Sequence, residues 1–276
     1  MSSEVAAGTV TAVGALAREY SERADAYVQR WGPVIHPMAQ PLLDAMSLAG
    51  TRRLLDVGTG TGAMWPAVQD AAPRAQLWGI DRSPGMLRAG GNALRHRVAV
   101  MDAQHLGIRP GAFDAALLLF VLFHVPDPAA ALREIRSILA PEGRLGLVVW
   151  GADPGLPGAS IWEEELDRAG AGPDPRDPGV MRQAWMDTPD KLALLLEPAG
   201  FLVDRLWSRT FAHPWTAEEL LATHTRCGLP SRRLAALERA AQGACVDRVR
   251  NRLQRLSPAE LTYHVEILYA LAHRPA

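Results

Sequence analysis

A chain of 276 residues, 48% apolar and 21% charged, can bury one large core, or a core with a lid. Its 29 basic and 30 acidic side chains leave a net charge of −1, which argues against a protein built mainly to grip nucleic-acid backbones. Cys227 and Cys245 are too few for a disulfide framework or a paired-cysteine metal knuckle, so no metal site is expected and a cytoplasmic setting fits. The longest strongly apolar run, Ala115 to Phe123, is about half of the ~18–20 residues a spanning helix needs. Glu4, Gly8, Thr9 and Thr11 do not suit an export signal.

In chain order, residues 1–17 read as a loose tail leading into a helix from about Leu16 to Arg30. Tyr20, Ala24, Tyr27 and Trp31 recur there at helical intervals, which places aromatics on one face. Pro33, Pro37 and Pro41 are expected to break the chain, with Pro41 opening a second helix to about Ala49. Strands are expected at Leu54–Val57, Gln76–Ile80, Arg97–Met101, Phe113–Phe120, Arg144–Trp150, Phe201–Phe211 and Thr262–Ala272. Helices fall between them near Ala63–Ala71, Pro84–Asn92, Pro128–Leu139 and Ile161–Ala169. A further helix, Thr188–Ala199, has Thr188 as N-cap, Pro189 in its first turn and Gly200 past its end. Residues 216–256 read as a helical insertion. Strands alternating with helices mean an α/β fold with a doubly wound, mostly parallel seven-stranded sheet, whose ligands sit at the C-terminal strand tips.

The sharpest motif is Asp56-Val57-Gly58-Thr59-Gly60-Thr61-Gly62, directly after the first strand. Glycines permit a tight turn and let backbone N–H groups approach a ligand. The same loop also scans as a dinucleotide fingerprint, but Asp56 would repel a diphosphate and attract an ammonium group. That favours S-adenosylmethionine over a nicotinamide dinucleotide. Asp81 closes the second strand where a ribose diol can be accepted, and Asp102-Ala103 closes the third where an adenine amino group can be. Asp114, opening the fourth strand, reads as an orienting residue of the strand entry.

This series is similar to the class I S-adenosylmethionine-dependent methyltransferases, in particular the ubiquinone/menaquinone-biosynthesis and natural-product small-molecule enzymes. The resemblance is carried by residues 50–150, and by topology alone over 188–274. It implies a Rossmann-like methyltransferase fold with helical lid insertions. The expected parts are an N-terminal helical cap (1–49), a cofactor-binding core (50–150), a lid insertion (151–187), a core continuation (188–215), a second, helical lid insertion (216–260) and a last strand (261–276). It implies that Asp56, Gly58, Thr59, Gly60 and Gly62 surround the methionine part of the cofactor and Asp81 its ribose, with Arg82 and Met86 alongside. It further implies Asp102 and Ala103 at the adenine and Leu119 and Phe120 at the sulfonium, with S-adenosylhomocysteine as product. Two departures stand out: Glu142 replaces a usual glycine, and Leu119-Phe120 is apolar where a polar residue is common.

His124, after the fourth strand, is the candidate general base. Tyr27 and Trp31 are candidates to cover the cofactor through their ring faces. Trp162, Met181, Trp185, Trp207, His213 and Trp215 lie in or beside the insertions and suit an apolar or aromatic small-molecule acceptor. Eight arginines between Arg226 and Arg255 face only Glu238 and Asp247 locally; a solvated face, or pairing with Glu163-Glu164-Glu165, explains them better than RNA. The expectation is therefore methyl transfer to O, N or C of a small molecule of secondary metabolism, with no membrane or nucleic-acid partner and a homo-oligomer left open. The rivals are a cyclase-like enzyme on the same fold, an RNA or protein methyltransferase, and a non-catalytic nucleotide-binding module.

Overall fold

The computed structural model describes residues 3–152 and 155–276, with side chains from residue 11 onward. Met1, Ser2, Asp153 and Pro154, which fall in the expected cap and first lid, lie outside the described residues, as do the side chains of Glu4 and Thr9. The strands are β1 (Arg53–Val57), β2 (Gln76–Asp81), β3 (Val98–Val100), β4 (Phe113–Leu119), β5 (Leu139–Trp150), β6 (Leu202–Pro214) and β7 (Thr262–His273). They form one seven-stranded sheet in the order β3-β2-β1-β4-β5-β7-β6. Strands β1 to β5 pair in parallel, and β7 runs antiparallel to both β5 and β6. The order reverses between β1 and β4, and the crevice at that switch is where a doubly wound sheet takes ligands.

The helices are α1 (Ser3–Glu22), α2 (Ala24–Ala26), α3 (Gly32–Ala45), α4 (Trp65–Ala71), α5 (Pro84–Ala89), α6 (Pro128–Ile138), α7 (Pro157–Arg168), α8 (Pro189–Leu196), α9 (Ala217–Arg226), α10 (Gly228–Ala235) and α11 (Arg239–Leu253). Neighbouring strand residues point to opposite faces, and the core divides accordingly. Leu54, Leu117 and Val148 join one core with α3, α4, α7 and α11, while Leu55, Leu118 and Val149 join the other with α6 and α8. Burial on both faces is why β4 reads as an unbroken apolar run from Ala115 onward. Asp114 accepts the backbone N–H groups of Arg52 and Arg53 at 2.9 Å each, tying the entry of β4 to that of β1.

The N-terminal segment corrects two expectations. The loose tail over residues 1–17 is instead α1, helical from Ser3; its alanines form helix readily despite the intervening glycines and threonines, and Val13 and Leu16 anchor it against Val180. The three prolines do not break the chain, because α3 runs through Pro37 and Pro41 with Pro33 in its first turn. Spaced by four, they fall on one stripe, Pro33 and Pro37 exposed, so the carbonyls that lose an N–H partner face water. Between α2 and α3 the chain makes a π-helical turn, Tyr27–Trp31. The first lid helix also starts earlier than the apolar spacing indicates, at Pro157.

Candidate active site

The loop after β1 is built for a close backbone approach. Gly58 and Gly60 have φ of +72° and +55°, where a side chain is strained, and a Cβ on Gly58 would meet Val121 at 2.3 Å. Gly62 has φ +69°, but its own hypothetical Cβ points at Leu94, 2.2 Å away; the structure places it in packing and away from the cavity lining. The Asp56 carboxylate is buried, and its Oδ2 accepts from Thr59 Oγ1 at 2.7 Å and from Trp65 Nε1 at 3.1 Å. Burial pushes its pKa up to about 6 against the pull of those two hydrogen bonds. Trp65 carries no motif signal, and only the fold brings its indole to the carboxylate.

Asp81 holds the same loop from the other side. Its Oδ2 accepts from the Gly60 N–H and its Oδ1 from the Ser83 N–H, each at 2.8 Å, and burial raises its pKa. Asp102 accepts from the Gln104 N–H at 3.0 Å and pairs with Arg82 at 3.3 Å. The positive group nearest these acids is thereby engaged, and it forms no cradle for a diphosphate.

These residues line a cavity of about 660 Å³, within the roughly 300–1,000 Å³ of small-molecule sites. Gly58, Gly60, Asp81, Arg82, Met86, Asp102, Ala103, Leu119, Phe120, Tyr27, Trp31 and His124 all reach it. Asp56 and Thr59 line a small recess of about 40 Å³ that shares Gly58, Gly60, Tyr27, Leu119 and Phe120 with the main cavity. Phe120 is held at φ +60°, unusual for a bulky residue, with its ring 4.8 Å from that of Trp150. Strain of this kind at the tip of a central strand is a mark of a working position.

The roof comes from three separated segments. The π-helical turn directs Tyr27 and Trp31 inward, with Trp31 6.2 Å from Trp150. Ser21 of α1 hydrogen-bonds Ser83 at 2.8 Å and accepts from the Gly85 N–H at 3.1 Å, fastening α1 over the start of α5. Glu19 of α1 accepts from Arg176 at 2.8 and 3.0 Å and from Arg232 of α10 at 3.4 Å, and Arg232 also pairs with Asp174 at 2.6 Å. Sequence reading missed this network because its members are dispersed along the chain.

His124 is enclosed, its Nε2 2.9 Å from the Tyr20 hydroxyl. Burial, and then the positive charge of Arg176, push its pKa down to about 3, so at neutral pH it is uncharged and a poor proton acceptor. Of the lid aromatics, Trp215 and Met181 line the cavity, whereas Trp162 is fully buried in the core. Trp207 stacks on Tyr269 at 4.9 Å, His213 sits edge-on to Trp215, and Trp185 is exposed beneath Arg182. In the arginine-rich helices, Arg248 and Arg252 bind the buried Glu165 at 2.7 and 2.9 Å, Arg252 also binds Glu164, and Arg233 pairs with Asp167. Glu163 lines the cavity instead.

Residues 55–147 match the family described as a methyltransferase domain. The ubiquinone/menaquinone biosynthesis C-methyltransferase of Syntrophotalea carbinolica is 36% identical over 105 residues, covering 36% of this chain and 44% of that protein. Aklanonic acid methyltransferase of Streptomyces sp. (strain C5) is 30% identical over 116 residues, covering 40% of this chain and 53% of that protein. The matched stretch thus spans about half the length of these curated relatives. Among solved structures, the cyclase SpnF shares the fold with a TM-score of 0.54 at 24% identity, over 87% of this chain and 81% of that one.

Proposed function

We infer that the chain, whose residues 55–147 match a methyltransferase domain, is a class I S-adenosylmethionine-dependent enzyme that methylates a flat, largely apolar small molecule. The observation that carries this reading is the meeting, at one roofed cavity, of the glycine loop, Asp81, Asp102-Ala103 and the strained Phe120. The donor set fits S-adenosylmethionine. Two carboxylates stand where a diol and an amino group need acceptors, and the recess beside Asp56 offers a negative wall to an ammonium group. Aromatic rings suit a positively charged sulfur. Relatives named for quinone biosynthesis and for aklanonic acid support an acceptor from secondary or quinone-like metabolism.

S-adenosylmethionine supplies a methyl group already activated on sulfur. The chain's own task is therefore orientation and exclusion of water. The Asp81 carboxylate accepts from the backbone N–H groups of Gly60 and Ser83 and keeps lone-pair capacity for a ligand hydroxyl. Phe120, Trp150, Trp31 and Tyr27 shield the strand tips from solvent. His124 contributes as a neutral imidazole that holds the Tyr20 hydroxyl, in place of the candidate general base.

Calorimetry with S-adenosylhomocysteine tests the cofactor reading: micromolar binding that Asp81→Ala weakens by at least tenfold supports it, and no binding ends it. Incubation with S-adenosylmethionine and acceptor then separates methyl transfer from the cyclase alternative. A product heavier by one methylene supports transfer, and an isomer of unchanged mass supports the alternative.

A further inference from the structure

The recess beside Asp56 has a wall that the glycine loop does not supply. It comes from α3, whose Ile35, His36 and Ala39 border the recess together with Asp56, Thr59, Thr61 and Ala63. The backbone of α3 is fixed there, because Ile35 and Ala39 are buried in the core and the Met38 carbonyl accepts from the buried Tyr269 hydroxyl at 2.6 Å. The His36 ring lies against Gly32, where a Cβ would meet its Cε1 at 2.9 Å, and edge-on to Tyr27 at 6.4 Å. The missing side chain at Gly32 thus leaves the imidazole its place. Neither ring nitrogen of His36 has a hydrogen-bond partner among the described residues. The ring is only half-buried, and its nitrogens keep accessible surface, unlike the sealed Nδ1 atoms of His124 and His224.

The other polar side chains of the recess are accounted for. Asp56 and Thr59 bond each other and Trp65, and burial pushes the Tyr27 phenol up, so it stays un-ionised. Asp56 is the only acid bordering the recess among the described residues; Glu19, Asp81, Asp102 and Glu163 border the main cavity instead. No carboxylate of the chain therefore competes for His36. Burial alone lowers the pKa of His36, with no charged neighbour contributing, so at neutral pH the ring is uncharged and presents one N–H and one lone pair. The amino-acid end of S-adenosylmethionine is a zwitterion. Its ammonium group suits Asp56, but its carboxylate, one carbon away, is repelled by Asp56 and needs a donor from another wall.

We propose that His36 binds the carboxylate of the cofactor's amino-acid end, its imidazole N–H donating to a carboxylate oxygen while Asp56 faces the ammonium group. The inference rests on the S-adenosylmethionine reading of the site and deepens it, carrying that site beyond the matched residues 55–147 into the N-terminal cap. The cap then does more than keep water out. It discriminates an intact amino-acid tail from nucleosides that share the adenosine but lack the carboxylate. A hydrogen bond to an ionised group is about twice as strong as a neutral one, so losing it costs about tenfold or more in affinity.

The test is calorimetry on the full chain with three probes: S-adenosylhomocysteine, its decarboxylated analogue, which keeps the ammonium group, and methylthioadenosine, which lacks both charged groups. The wild type should bind S-adenosylhomocysteine about tenfold or more tightly than the decarboxylated analogue. His36→Phe should close that gap by weakening S-adenosylhomocysteine alone, and His36→Gln, whose amide also donates, should restore much of it. Equal affinity for the two in the wild type, a gap that survives His36→Phe, or a loss shared equally by all three probes overturns the proposal; the last result would mean that the ring only packs. Should His36→Phe fail to fold, NMR of the isotope-labelled wild type decides. The His36 ring signals should move with S-adenosylhomocysteine and hardly move with the decarboxylated analogue, and equal movement overturns the proposal. If none of the three probes binds, the cofactor reading falls and this inference with it. If S-adenosylhomocysteine binds with a preference that His36 does not control, the inference alone falls.

Discussion

Asp56 is an ionisable group held where ionisation is resisted, its pKa raised from 3.8 to about 6 by burial. Between those values the folded chain keeps a proton that the unfolded chain has released. This residue's contribution to stability therefore falls as pH rises through that window and is level above it. Ligand binding runs the other way, because an ammonium group is attracted to the ionised carboxylate. Calorimetry should show S-adenosylhomocysteine binding strengthen as pH rises from about 5 to 7, a range in which the ligand's own groups do not titrate. Asp56→Asn should abolish that step and cost about tenfold in affinity at neutral pH. Glu142 gives a second residue-scale expectation. Its φ of +60° is a conformation that glycine adopts freely, and its side chain is exposed. Glu142→Gly should raise unfolding stability by about 1 kcal/mol in urea titrations, and a loss of stability would contradict the strained backbone.

At the scale of elements, the turn into α4 and the lids make separate demands. Gly62→Ala sets a Cβ 2.2 Å from the buried Leu94 at a φ of +69°, so urea unfolding should register a loss of about 2 kcal/mol or more. Because Gly62 does not line the cavity, the affinity of the folded fraction for S-adenosylhomocysteine should barely change. The lids are joined through Glu19, whose loss leaves Arg176, with its side chain 12% exposed, without its paired carboxylate and leaves Arg232 with Asp174 alone. Glu19→Gln should destabilise the chain by on the order of 3 kcal/mol and speed hydrogen exchange first in α1, the segment around Arg176, and α10. Uniform exchange across the sheet and lids would show that the network does not hold the roof. Element boundaries reflect the same contrast between local and distant causes. Thr188, Pro189 and Gly200 mark α8 by their own chemistry, with Thr188 accepting from the Lys191 N–H and Gly200 at φ +87°. The prolines of α3 mislead because whether a lost hydrogen bond matters depends on whether that face meets water or core.

For the molecule as a whole, net charge and local charge have to be weighed together. The arginines clustered from Arg226 to Arg255 suggest a basic surface, yet Arg232, Arg233, Arg248, Arg250 and Arg252 pair with acids contributed mostly by other segments. Single-stranded RNA should therefore show no salt-sensitive binding by fluorescence anisotropy, and an affinity that falls steeply with salt would revive an RNA substrate. No helix among the described residues is long and apolar enough to cross a membrane. The alternation of strand and helix, the glycine loop and the acids closing β2 and β3 were legible because each is a local signal, set by side-chain periodicity or by the backbone freedom of one residue type. The same locality explains why Asp56, Asp81 and Asp102 could be placed before any coordinates: each lies at or just past the C-terminal end of a strand, and parallel strands end on one side of a sheet. Tertiary structure alone decided which side chains face the centre of the cavity. The indole of Trp65 on Asp56, and Glu19 reaching across 157 and 213 positions to Arg176 and Arg232, arise from packing between remote segments. No period or spacing encodes such contacts, since their energy depends on burial, and burial exists only once the chain has closed on itself.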